Sequence, residues 1–351
     1  MSKIIVPAVP NTGRHNSCHI NSCHMILQYR GENVPLPKFI PMSSFTFGFL
    51  YVNNGKFVLP AVSGCPCRDC MSFVVEQLGY DSAVFSDEDP GAVFKKVKEI
   101  IDSGNPLVAG PLPMDLYQKN NPQAPSTGLD SFCVVCGYDE DEGLIFLTDT
   151  FGLGYMPVPI EEFEAGWKKG KRLCPNELIA ETPFLFEVGE KRSNWDEQTV
   201  VRNTLCRAYE LGKGKTLSGS VSLGIEGLRR FSEDLDRGFG LDSEKHPAII
   251  TTIRDFTFLI GAQSRGDIVY FLNEFAANLP DNYEKGQVLR LMGVYKEELT
   301  LFMDGLRVCS EALDGQKEGQ TDSLFSSIKR QVGGVIGIEE EALGILETFA
   351  S

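Results

Sequence analysis

The sequence predicts an α+β domain followed by an all-α domain. Three observations carry that expectation. Between residues 4 and 188, short β-branched and aromatic runs alternate with helical patterns and Gly/Pro punctuation. From about residue 194 the strand signals fade and three- and four-residue spacing takes over. At 351 residues the chain exceeds one average domain, and the polar stretch Glu190-Lys191-Arg192-Ser193-Asn194 makes a natural linker. The expected domains are 1–192 and 193–351.

Taken in order, Ile4 to Val9 reads as a short strand or an extended lead-in, punctuated by Pro7 and Pro10. Asn16 and Ser17 stand where a helix can begin at Cys18; Met25, Ile26 and Tyr29 recur at helical spacing, and Gly31 stops the run. Cys18 then lies at a helix N-terminus, whose partial positive charge favours a thiolate. His15, His19, His24 and Cys23 cluster in the same stretch. Residues 32–70 are expected to be loop-rich around the aromatic stretch Phe45–Tyr51. The run Gly64-Cys65-Pro66-Cys67-Arg68-Asp69-Cys70 leads into an amphipathic helix with Phe73, Val74 and Leu78 inward and a stop at Gly79.

A strand over 82–85 precedes a helix from Pro90 to about Ile101, capped by the acidic run 87–89. Leu107 to Gly110 reads as a buried strand, and 113–127 as a polar loop. Residues 131–139 and 144–149, joined by an acidic turn, form a hairpin signal, and Phe184 to Val188 is expected to close the sheet. Helices are expected over 196–211, 223–236, 247–262, 266–278, 283–313 and 322–349, the last interrupted near Gly333-Gly334.

A net charge of −15 argues against a nucleic-acid partner held through phosphates, and disfavours an anionic membrane surface. No stretch approaches the ~20 apolar residues of a membrane helix, and the opening residues lack the apolar core of a signal peptide. The reading is a cytoplasmic protein, whose ten cysteines are expected to be reduced, catalytic or metal-bound. Helices with an apolar face need partners, so the helical domain is expected to cover a pocket, to form a homo-oligomer, or both.

A helix-borne Cys followed by a sheet resembles the order of papain-like acyl-transfer enzymes. Cys18, Met25, Leu27, Tyr29 and Gly31 look like the nucleophile helix of the double-glycine leader peptidases. Val134-Val135-Cys136-Gly137-Tyr138-Asp139 resembles their His-bearing strand, and the next strand ends at an acid matching Asp149. The chain is more closely similar to the butirosin biosynthesis protein H family, through Phe45–Tyr51, Gly224-Ile225-Glu226-Gly227-Leu228 and Arg265–Ala276. That resemblance covers most of the chain. It implies a papain-like, double-glycine-peptidase-like N-terminal domain with a helical C-terminal domain. The implied activity is acyl transfer without a cofactor: a Cys takes an acyl group from an acyl-carrier protein thioester and passes it to the amine of a small-molecule substrate. Cys18 would be the nucleophile and Asp149 the orienting acid.

One departure matters. Where the resemblance places the catalytic His, this chain has Ser131, preceded by Asp130, and no histidine occurs between His24 and His246. A well-placed general base contributes about a hundredfold to ten-thousandfold. A second reading therefore uses Cys65, Cys67 and Cys70 as ligands of an iron–sulfur cluster or a zinc ion, with Cys18, Cys23 or a nearby His as fourth partner. A third is a catalytically silent binding protein of the same fold.

Overall fold

The structure is a computed structural model. It describes residues 3–6, 9, 17–62, 67–120, 130–149, 155–173, 182–240, 243–314 and 321–351. In chain order, β1 (Lys3–Ile5) precedes α1 (Cys18–Tyr29), α2 (Leu36–Met42), β2 (Leu50–Asn53), β3 (Val58–Ala61) and α3 (Cys67–Gln77). Then come β4 (Tyr80–Phe85), α4 (Pro90–Asp102), β5 (Leu107–Leu112), α5 (Met114–Asn120), β6 (Ser131–Asp139), β7 (Leu144–Asp149), β8 (Tyr155–Pro159), α6 (Ile160–Leu173) and β9 (Phe184–Lys191). The remainder holds α7 (Glu197–Lys213), β10 (Lys215–Ser218), β11 (Val221–Leu223), α8 (Gly224–Asp236) and α9 (His246–Thr252). A π-helical stretch (Ile253–Leu259) then leads into α10 (Ile260–Asn278), α11 (Tyr283–Asp314) and α12 (Thr321–Ala350). The protein is mixed α+β, with antiparallel sheets and a helical C-terminal region. Among the described residues, no helix is long and apolar enough to cross a membrane.

The chain divides into two compact units. Unit 1 comprises Met1–Phe39 and Pro66–Trp195; unit 2 comprises Ile40–Cys65 and Asp196–Ser351. The linear split expected at 192/193 thus gives way to an interleaved one. The reason lies in the aromatic stretch: Phe49, Tyr51, Val58 and Val62 share one core with Phe231, Phe258, Phe302 and Phe325. The expected loop of 32–70 holds α2 and the β2–β3 hairpin, and β2 pairs with β11 in a four-stranded sheet. The Tyr51 hydroxyl donates to Asp234 at 2.6 Å, which satisfies a polar group carried into that core.

Unit 1 is built on a seven-stranded sheet of order β4-β9-β5-β6-β7-β8, with β1 also paired to β6. The expected hairpin forms: β6 and β7 pair from Cys133 opposite Asp149 to Asp139 opposite Leu144. The run from Phe184 does not close the sheet. It lies between β4 and β5, because a nearly continuous apolar run suits a strand covered on both faces. The edges fall to β4 and β8, and β8 carries Pro157 and Pro159. Part of the loop expected over 113–127 is helix α5. The expected α4 cap is present: Asp89 accepts from the Gly91 N–H at 3.0 Å, and Pro90 occupies the first turn. Arg30, just past α1, donates to the carbonyls of Gly189 and Val188 at 2.5 Å each and ties the helix end to β9.

In unit 2, α12 runs unbroken through Gly333-Gly334. A Cβ at Gly334 would sit 2.7 Å from Leu301 Cδ1, so the glycine serves close packing of α11 on α12 rather than a break. Three helices also converge on a buried cation. Arg265 of α10 donates from Nε to Glu298 Oε2 at 2.5 Å and from Nη2 to Glu298 Oε1 at 3.1 Å. Nη2 also donates to Glu339 Oε1 of α12, and Nη1 to the Thr46 carbonyl. Burial works against the guanidinium charge, but Glu298 and Glu339 outweigh it and hold its pKa above the ordinary value. Removing the cation strands the carboxyls, a loss of about 3–5 kcal/mol. Arg265→Ala is therefore expected to lower stability by that amount in urea titrations of the full chain. A loss below about 1 kcal/mol would place the cluster in water instead.

Candidate functional site

The site is organised by strand pleat. Successive side chains of β6 point to opposite faces of the sheet. Cys133 and Val135 lie in the core formed with Val93 and Val97 of α4 and Phe163 and Trp167 of α6. The register irregularity near this point lies on β5, where Ala109 opposes Cys133 and Leu112 opposes Ser131, so β6 keeps its alternation from Ser131 to Val135; its own irregularity lies between Val135 and Gly137. Ser131 therefore shares the face of Cys133, turned toward α4 and α6. Its neighbour Phe132 takes the other face, where its ring lies 5.8 Å from the ring of His19 and 5.4 Å from that of Phe184. At its start, β6 presents Phe132 to the Cys18 helix. A one-residue change of register turns a side chain through the sheet, and spacing alone does not reveal it.

Gly110 makes room for this ring. Its φ is +151°, and a Cβ there would lie 2.8 Å from Phe132 Cδ1. Only glycine meets both conditions without strain.

Cys18 is the first residue of α1, half-buried and a free thiol. Ser17 occupies the cap position without a side-chain cap bond, and its carbonyl accepts the Asn21 N–H at 2.9 Å. The Cys18 N–H therefore has no carbonyl partner within the helix. Asp149 ends β7 with its backbone opposite Cys133; its side chain lies outside the described part. Sequence reasoning gave no role to Asp130, the residue before β6. Its carboxyl is half-buried, and Oδ2 has no partner among the described residues. Burial, and then the nearby Asp115, push its pKa up. The signal available was its place two residues before Phe132, with the same strand parity.

The two described histidines of this stretch, His19 and His24, are engaged by other groups. His15 lies outside the described residues. His19 is 3% exposed and packs on Phe132. His24 is buried, its Nε2 donates to the Val34 carbonyl at 2.6 Å, and burial pushes its pKa down against that bond. Six residues along a helix place it about 9 Å from Cys18 along the axis.

Of the cysteines read as a metal centre, Cys67, Cys70 and Cys23 lie within the described residues. Cys65 lies outside the described residues. Cys67 and Cys70 fall on the first turn of α3, but Cys70 is disulfide-bonded. A disulfide sulfur has no thiolate charge to offer a metal, and the expectation of reduced cysteines fails at Cys70. Cys23 is 0% exposed, and burial pushes its thiol well above the ordinary value, so it stays protonated.

No family model matches the chain, and no curated protein matches it.

The cysteine states can be read directly. Iodoacetamide labelling of the denatured, unreduced chain is expected to modify Cys18, Cys23 and Cys67 and to spare Cys70. In the native protein Cys18 and Cys67 should label before Cys23. Full labelling of Cys70 without reductant contradicts the disulfide.

Proposed function

We propose that the protein is a cysteine-dependent acyltransferase of papain-like type, related to the butirosin biosynthesis protein H family. The observation supporting this reading is Cys18. It opens a helix whose first turn packs on the start of a central antiparallel strand, through His19 and Phe132. A thiol at a helix start, beside a sheet that carries the rest of the site, suits thiolate attack on a carbonyl.

The chemistry follows in two steps. The Cys18 thiolate adds to the carbonyl carbon of a thioester on an acyl-carrier protein, and the carrier leaves as its thiolate as the tetrahedral adduct collapses. The amine of a small-molecule acceptor then attacks the acyl-cysteine, and Cys18 leaves as thiolate. The Cys18 N–H, free of an intrahelical partner, can donate to the oxyanion in both steps. The attacking amine must lose a proton. We assign that proton to Asp130, which stands directly before β6 and two residues from Phe132, the side chain that meets His19 of the Cys18 helix; burial and Asp115 raise its carboxyl and make it a stronger base than an ordinary aspartate. Asp149 has no imidazole to orient, and no step is assigned to it. The cluster reading would first require reduction of Cys70, and no step is derived through a metal.

Intact-mass analysis after incubation with a simple acyl thioester should show one added acyl group on the wild-type chain and none on Cys18→Ala. An acylated Cys18→Ala chain would falsify the nucleophile assignment. Asp130→Asn should slow aminolysis about a hundredfold to ten-thousandfold. Asp130 acts as a base only when ionised, so the wild-type rate should rise with pH through its raised pKa. That limb should be missing in Asp130→Asn. An unchanged limb moves the proton acceptor elsewhere.

A further inference from the structure

The Arg265 cluster of unit 2 holds one cation and two carboxyl groups. Arg265, Glu298 and Glu339 are 2%, 0% and 7% exposed. The guanidinium also lies over the rings of Tyr295 and Phe302, at 5.2 Å and 5.5 Å from their centroids. One guanidinium nitrogen, Arg265 Nη2, donates to both Glu298 Oε1 and Glu339 Oε1, so the two carboxyl groups meet at one atom. Two buried carboxyl groups facing one cation repel each other when both are ionised, and a proton shared between them removes the excess charge. With it, the cluster is one cation against one anion. Without it, a net negative charge is left in the interior of the helices.

Each element around the cluster contributes in a known way. α10 brings Arg265, α11 brings Glu298 and Tyr295, and α12 brings Glu339. The turn preceding β2 brings the Thr46 carbonyl, which accepts from Arg265. Tyr295 stays protonated, since burial and Glu339 raise its hydroxyl well above the ordinary value. Ser44, two residues before Thr46, has φ 61°, a left-handed conformation that costs a non-glycine residue energy and is held by its surroundings.

We propose that the shared proton is a latch. While it is present, α10, α11, α12 and the 44–47 turn are locked on one guanidinium. Its loss in alkaline solution opens the cluster and releases the inserted segment 40–65 from the helices. This would be a proton-operated control over how firmly that segment is held.

The direction follows from the charges. Burial raises Glu298 most, Arg265 opposes, Glu339 raises it again, and the group is pushed up to about 8. A carboxyl raised in the folded state stabilises that state fully below its unfolded value of 4.5. That contribution is lost as pH rises through the folded value.

The test is hydrogen exchange by mass spectrometry on the full chain from pH 5 to 9, corrected for intrinsic exchange, following peptides over 43–51. The comparison is Glu339→Gln. Glutamine keeps an oxygen for Arg265 and offers its own N–H to Glu298, so the excess charge is removed with no titrating proton. The ratio of wild-type to variant opening constants should rise by up to about tenfold per pH unit between about pH 5 and 8, then level off. A flat ratio overturns the proposal. Should the variant not fold, wild-type peptides over 131–139 in unit 1 serve as the reference. An equal pH response in both places then overturns it.

Discussion

Strand β6 is the constraint on which unit 1 depends. All nine of its residues are buried, and it bonds to β5, β7 and β1. A strand covered on both faces has no solvent side onto which a misfit side chain can be turned. Its pleat therefore sorts residues absolutely: Cys133 and Val135 go to α4 and α6, Phe132 to α1. The register against β7 fixes where Asp149 comes, and the irregularity on β5 is confined to the Gly110 region. The Cys18 site rests on that sorting, because the strand decides which of its side chains can reach the helix.

Unit 2 is organised by charge placed where charge is expensive. A buried guanidinium with two acids is a poor source of net stability compared with apolar packing, since desolvation offsets most of the attraction. What it supplies is direction. Hydrophobic contacts among Phe258, Phe302 and Phe325 tolerate sliding of one helix along another. Hydrogen bonds from one fork to three separate elements do not. Gly334 under Leu301 adds a second fixed point between α11 and α12.

Much of this was legible in the sequence, and the failures have physical causes. The Cys18 helix, the Asp89 cap and the β6–β7 hairpin were local patterns, so neighbours in sequence carried the information. The interleaving of 40–65 was not legible: an aromatic stretch states that it will be buried but not in which core. Phe132 was missed because residue types in a strand buried on both faces do not say which parity meets the helix. The Arg265 cluster joins residues 33 and 74 positions apart, and charged residues on helices are ordinarily solvated. A trace was present: Glu298 stands three residues after Tyr295 and four before Phe302, inside the apolar stripe of α11.

The interleaved chain also has a history during synthesis. Segment 40–65 leaves the ribosome early, carrying Phe45, Phe47, Phe49 and Tyr51, all buried in the finished protein. Its partners on α8, α10, α11 and α12 are encoded beyond residue 223. At about 5–20 residues per second, roughly ten seconds or more separate the two. Unit 1 can close its sheet in that interval, since its last strand ends at Lys191. The aromatic segment cannot bury itself until the helices emerge. For that time it is a sticky loop protruding from a nascent chain that is otherwise half folded.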